Sequence, residues 1–216
     1  MNTAEKTDHR KVRGDLTRRA LMNAAERLMA TRGMGNVTIR QIVSAAKQKN
    51  ESALQYHFKN LPGLIAAIHE DRSSQLRARR ATALNAALSA NPTPSLAVLA
   101  ALMVEPPFRL AQESPGIRRY IKAFSLEFAL EEGSAFSLVS RHGGGGEAGR
   151  ELGQRLRAAL PHLDELRFRQ RMEMAVIFCF SALTRHARQP GAFQGPEAES
   201  YLSTLTESLT GLLSAP

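Results

Sequence analysis

Apolar residues in this 216-residue chain recur every three or four positions almost from end to end. No stretch shows the alternation rich in Val, Ile and Thr that a half-buried strand needs. Such a sequence can bury its apolar groups only as helices packed on helices, so the expected fold is all-α. Breakers and caps then set the ends. Leu21, Ala24, Ala25, Leu28 and Met29 share one face of a first helix, which Thr17 is placed to cap and Gly33 to terminate in a left-handed conformation. Thr38, with Gln41 three residues on, has the pattern of a capping box and opens a second helix with the buried stripe Ile39, Ile42, Val43 and Ala46. After the polar stretch Lys47-Gln48-Lys49-Asn50, a third short helix turns Leu54 and Phe58 inward. Asn60-Leu61-Pro62 starts a long fourth helix, since proline is tolerated in a first turn, and its pattern runs to about Ser89, ahead of Asn91-Pro92.

Further breakers at Thr93-Pro94, Pro106-Pro107, Ser114-Pro115, Ser134, Gly143–Gly146, Pro161, Pro190-Gly191 and Gly195-Pro196 cut the rest into about five or six helices. The four glycines at 143–146 suit a surface connection, with a mobile lid over a cavity as the alternative. The last two helices stand out. Asp164–Arg188 is long and apolar through its middle, and Pro196–Leu213 carries Leu202, Leu205, Leu209 and Leu212 on one side with Tyr201 beside them. The expected organisation is a three-helix domain over 1–61, followed by a larger helical domain over 62–216.

The formal net charge of +9 favours an anionic partner, and its distribution points to one segment. Residues 1–60 hold twelve Lys/Arg against five Asp/Glu, leaving seventeen against fifteen for the remainder. Arg10, Lys11 and Arg13 precede the first helix. Their spacing suits either a flexible basic tail in a minor groove or a solvated disordered terminus. The single cysteine, Cys179, rules out a disulfide framework and a cysteine-rich metal site, and is expected as an inert buried thiol. The six histidines, His9, His57, His69, His142, His162 and His186, include no ligand-spaced pair. With no nucleophile motif or phosphate loop either, no metal, cofactor or catalytic role is expected. Met1–Gly14 has no apolar core resembling a signal peptide, and the longest apolar run, Ala175–Leu183, is about half the ~18 residues that suggest a membrane span. A soluble, cytoplasmic protein is expected.

Two short helices joined by a polar turn, the second rich in exposed donors, have the layout of a helix-turn-helix. A helix in the major groove needs side chains that reach base edges. Gln48, Lys49, Asn50, Ser52 and Gln55 offer amide, ammonium and hydroxyl groups for this, with Asn50 equally suited to capping its helix. Tyr56, His57, Lys59, Thr38, Arg40 and the start of the second helix can bond phosphate oxygens, which fixes register without reading sequence. For Tyr56 the alternative is a partly buried core aromatic.

The combination Thr17, Leu21-Met22-Asn23-Ala24-Ala25, Leu28-Met29, Gly33, Val37-Thr38-Ile39, Ile42, Ala45-Ala46, Ala53-Leu54-Gln55-Tyr56-His57-Phe58 and Leu64 closely resembles the DNA-binding domain of tetracycline-repressor (TetR) family regulators. Lys47 stands where the family commonly has glycine. The stretch to Tyr56-His57-Phe58 is one residue longer than the commonest version, and Leu61 replaces a basic residue at the start of the fourth helix. The resemblance implies a transcriptional regulator, expected as a repressor of double-stranded operator DNA, and favours phosphate contact for Tyr56. It also implies an effector cavity in the larger half, where at least some of Met103, Phe108, Tyr120, Phe124, Phe128, Met172 and Phe178 are expected to line a site for a small apolar ligand, the alternative being a plain core stripe. A homodimer through the last two long helices is expected, because one small module gains specificity by spanning two half-sites and the C-terminal leucine stripe needs a covering surface. The alternative is a sequence-nonspecific architectural DNA-binding protein, for which the nearly neutral larger half has no evident use.

Overall fold

The computed structural model describes residues 3–130 and 145–215, with side chains described over 12–124 and 145–215. Among the described residues every regular element is helical. The chain divides into two compact units, Met1–His69 and Glu70–Pro216.

The first unit begins with α1, Thr3–Arg32. Thr17 therefore lies inside a helix rather than at its start, and its hydroxyl donates to the Arg13 carbonyl (3.1 Å) instead of capping. The segment ahead of Thr17 contains no proline, and Ala4, Glu5, Lys6, Arg10, Lys11, Arg13 and Leu16 are good helix formers that carry the helix through Gly14. For the same reason Arg10, Lys11 and Arg13 are carried on helical backbone, which corrects the expectation of a flexible tail. Leu21, Met22, Ala24, Ala25 and Met29 are buried on one side of α1. Gly33 ends the helix with φ 81° and ψ 152°, so its φ is positive but the backbone is extended rather than left-handed helical. That region is essentially open to glycine alone. A single 3-10 turn, Met34–Asn36, leads to α2, Ile39–Ala45, and then come α3, Ser52–Phe58, and the start of α4, Leu61–Ala90.

Helices as short as α2 and α3 are unstable alone and depend on caps and burial. The capping box forms as its sequence pattern implies. The Gln41 N–H donates to Thr38 Oγ1 (3.3 Å) and the Thr38 N–H to Gln41 Oε1 (3.0 Å). Ile42, Val43, Leu54 and Phe58 are buried. The Arg18 guanidinium lies over the Phe58 ring at 5.4 Å, and Arg27 donates to the Ala45 carbonyl (3.3 Å), tying α1 to both short helices.

The second unit continues α4 and adds α5, Leu96–Glu113, α6, Pro115–Leu130, then α7, Gly146–Ala159, α8, Glu165–Ala187, and α9, Gly195–Ser214. Asp164 caps α8 by accepting from the Arg167 N–H (2.8 Å). Pro106 and Pro107 do not break the chain but lie inside α5. They remove two amide donors. Even so, Leu99 and Leu102 before them and Phe108 and Ala111 after them are buried together, and packing on both sides carries the helix through. Ser134 and Gly143-Gly144 lie outside the described residues, and Gly146, with φ 79°, opens α7.

In this unit α6 packs on α8, α9 on α5 and α8, and α7 on α5. Arg79 on α4 makes a two-pronged ion pair with Glu113 (2.6 and 3.3 Å). Arg72 spreads over Gly116 so closely that a Cβ there would meet its guanidinium at 2.7 Å. The leucine stripe of α9 does not await a covering surface. Leu205 and Leu209 are 4% and 0% exposed within the single chain, in one core with Leu99, Phe108 and Met172. Large apolar groups left outside in this unit are Val98 on α5, 40% exposed, and Leu166, Met174 and Ile177 on α8, 61%, 54% and 48% exposed.

Candidate nucleic-acid interface

The turn between α2 and α3 is closed by two backbone bonds, Gln48 N–H to the Val43 carbonyl and Lys47 N–H to the Ser44 carbonyl, both 3.0 Å. These form the paired 6→1 and 5→2 bonds of a Schellman motif. The motif requires a residue with positive φ, and Lys47 supplies it at φ 56°. A lysine thus occupies a position that suits glycine, at a backbone cost of roughly 1–2 kcal/mol, and presents an exposed ammonium at the turn.

Beyond the turn, Lys49 and Asn50 are exposed. Asn50 does not cap α3; Glu51 holds that position, without a side-chain cap bond. On α3, Leu54 and Phe58 face the core, while Ser52, Gln55, Tyr56 and Lys59 are exposed. The spacing of Ser52, Gln55 and Tyr56 places them on one side of the helix, with Lys59 just past its end. Tyr56 is 81% exposed, which excludes the partly buried core role. Its ring meets the His57 imidazole edge-on, centroids 4.9 Å apart. His57 is half-buried, and a Cβ at Gly14 would lie 3.9 Å from its Cε1. Partial burial, and then Arg18, lower its pKa below the ordinary histidine value, with Asp15 opposing. Thr38 and Arg40 are exposed at the start of α2, and the Thr38 hydroxyl, although it accepts from Gln41, keeps its own proton to donate. Gln48 is half-buried, with its amide donating to the Ala46 carbonyl (3.0 Å). It is turned onto the turn it follows rather than standing out with the others.

Lys59 closes the site in an unusual way. Its N–H completes α3 on the Gln55 carbonyl (3.0 Å), its φ and ψ are 68° and −49°, and the next N–H, of Asn60, reaches the Phe58 carbonyl at 2.8 Å. This is a γ-turn of the rare positive-φ kind. Asn60 Oδ1 then accepts from the Gly63 N–H (2.8 Å) and caps α4. Gly63 is pressed so tightly here that a Cβ would lie 2.0 Å from the Phe58 carbonyl oxygen. The junction of α3 and α4 is thus only Lys59-Asn60 long, with both of its N–H groups bonded. Lys47 at the turn and Lys59 in the γ-turn are backbone features that composition did not reveal. The signal for the first was the missing glycine.

Among the described residues, the candidates in the larger half lie in several neighbourhoods. Phe108 is fully buried against His186, Phe193 and Tyr201, with ring centroids at 5.5, 5.0 and 6.4 Å. Tyr120 and Phe124 pair with one another on α6 at 5.2 Å. Met172 is buried in the main core, with Met103 half-buried against it. Phe178 instead borders an open recess of about 480 Å³ between α8 and α9. Phe128 is on α6, but its side chain lies outside the described residues. Cys179 is buried, and burial pushes its thiol up to about 12, which leaves it protonated and unreactive. Among the described residues no cluster of His, Cys, Asp or Glu suits a metal ion, and no helix is long and apolar enough to cross a membrane.

A compact all-helical unit that presents a short helix with a row of polar donors defines a helix-turn-helix DNA-binding protein. Residues 21–68 match the family model of bacterial regulatory proteins of the tetR family, and residues 101–215 match that of the tetracyclin repressor-like C-terminal domain. The chain belongs to the TetR family and is a DNA-binding transcription regulator; members of this family act on operator DNA as dimers. Among solved structures it is similar to Salmonella enterica GusR, with 18% identity over 92% of this chain and 96% of that one and a TM-score of 0.50. It is also similar to RolR (NCGL1110) in complex with its ligand resorcinol, with 19% identity over 95% and 97% and a TM-score of 0.47. No curated protein sequence matches the chain.

Proposed function

We propose that this regulator is a repressor that reads a specific operator with residues 1–61 and is released by a small, largely apolar ligand bound within residues 62–216. The observation that carries the proposal is the exposed row Ser52, Gln55, Tyr56 and Lys59, held outward by buried Leu54 and Phe58, with Lys49 and Asn50 beside it. Lys49, Asn50, Ser52 and Gln55 read base edges; Thr38, Arg40, Tyr56, His57 and Lys59 hold phosphates. Gln48 supports the turn with one amide N–H and contributes to reading through its carbonyl and its second N–H. Two copies associate through α8 and α9. The contact centres on the exposed Met174 and Ile177, since the leucines of α9 are already covered. The ligand is held by aromatic and methionine side chains drawn from Met103, Phe108, Tyr120, Phe124, Phe128, Met172 and Phe178. It must favour one spacing of the two DNA-binding units over the other in order to release DNA.

A salt titration on operator, singly mismatched operator and random duplex separates this reading from an architectural DNA-binding protein. Replacing Lys59 weakens binding to all three alike and lowers the slope of log affinity against log salt by about one. Replacing Gln55 costs about 1–3 kcal/mol at one base position and leaves random-duplex binding nearly unchanged. Uniform losses, with no sequence preference in the wild type, would establish the architectural reading instead.

A further inference from the structure

His186, in the last turn of α8, is held by four groups distant from it in sequence or on other elements. Its imidazole stacks on Tyr201 of α9, centroids 4.0 Å apart and planes at 13°, and on Phe108 of α5 at 5.5 Å and 24°. Phe193 meets it edge-on at 4.8 Å and 90°. Its Nε2 accepts the backbone N–H of that same Phe193 at 3.1 Å. An imidazole accepts through one nitrogen only when neutral, so the proton of the resting form sits on Nδ1. The residue so held is itself unusual. Phe193 is buried, lies in the turn between α8 and α9, and has φ 65°, a left-handed conformation that a non-glycine side chain resists.

We infer that His186 is a proton-operated latch on the α8–α9 turn: neutral, its Nε2 fixes the strained Phe193 backbone and binds α5, α8 and α9 together, and protonated, it must let that backbone go. With both ring nitrogens carrying protons, Nε2–H would face another N–H, and the buried Phe193 donor would lose the acceptor that holds it. The ring faces of Tyr201 and Phe108 give a cation some compensation. Burial outweighs it and holds the His186 pKa below the ordinary value of 6.5. The charged side chain sharing the adjoining recess is Arg185, which adds a second positive charge on the same helix. On α9, Tyr201 donates its hydroxyl to the Ala182 carbonyl (2.8 Å). The charges next in sequence to Phe108 and Tyr201 are Arg109 and Glu199, and these are bonded to each other, with Glu105 and Gln112 beside them. Among the described residues, no carboxylate is thus placed against the imidazole to stabilise its cation.

Because the folded chain prefers neutral His186, this contribution is complete above pH 6.5. It is lost as the pH falls through that value towards the depressed one. The test is the thermal midpoint of the full chain from pH 8 to pH 5, for wild type and for His186→Gln, whose Oε1 can accept from Phe193 at any pH. His57 titrates in both proteins and cancels in their difference. The wild type is expected to lose on the order of 2–4 °C more than the variant across this range. Parallel curves would overturn the latch. Should His186→Gln fail to fold, the wild type alone decides through its labelled NMR spectrum. The Phe193 amide resonance is expected to shift together with the His186 imidazole, with a midpoint below 6.5, and an amide that stays still while the imidazole titrates rejects the proposal.

Discussion

The first unit and the larger half use burial in opposite ways. In the first, a small core of Leu21, Ala25, Ile42, Leu54 and Phe58 supports two helices of seven residues each, and the side chains with chemistry to offer are those the core leaves outside. In the second, three of the aromatic candidates for holding a ligand are themselves core. Phe108 and Phe124 are fully buried and Tyr120 nearly so. Removing a reading side chain from α3 therefore tests recognition, whereas removing an aromatic from α5 or α6 changes stability and recognition together.

Four substitutions break or sharpen this contrast. Phe108→Ala is expected to cost about 3–5 kcal/mol in the absence of any ligand, because a fully buried ring leaves a cavity behind. The midpoint in urea reports it, and an unmoved midpoint would mean that the space around Phe108 is already poorly filled. Thr38→Ala acts at the edge of the first unit. Loss of the capping box should cost about 1 kcal/mol, measured as a lower midpoint of the DNA-free protein. An equal loss from Gln41→Ala would show that the two halves of the box act as one. The smallest effect has the opposite sign. Lys47→Gly relieves the positive φ, and after the added freedom of glycine in the unfolded chain it should stabilise the free protein by about 0.5–1 kcal/mol. If the same change weakens operator binding, the lysine is kept for its charge at the expense of the turn.

The first unit was legible because its signals are local. A cap and its partner lie three residues apart, and the inward pair Leu54 and Phe58 lies on one turn of helix. The chain beyond α4 was less legible wherever tertiary packing decides. The Pro106-Pro107 pair reads as a break unless it is known that Leu99, Leu102, Phe108 and Ala111 are all buried. The leucines of α9 read as an unpartnered stripe because nothing local reveals that α5 and α8 already cover them. At the start of the chain, Thr17 has the residue type of a cap, but the charged segment before it continues the helix. Of the residues chosen to meet DNA, Gln48 alone is turned back by a bond to its own turn. The cluster at His186 left no trace in the pattern, since Phe108, Phe193 and Tyr201 come together only in the folded chain.

The bare α-carbon of Gly63 against the Phe58 carbonyl has a consequence for how such a protein can diversify. The exposed letters of α3 can be exchanged one by one as a lineage acquires a new target, because nothing packs over them. The hinge behind them has no such freedom. Any side chain at position 63 would push α4 away from the end of α3 and re-aim every reading residue at once. Drift in specificity is therefore channelled into the face, while the angle at which that face is presented is inherited unchanged.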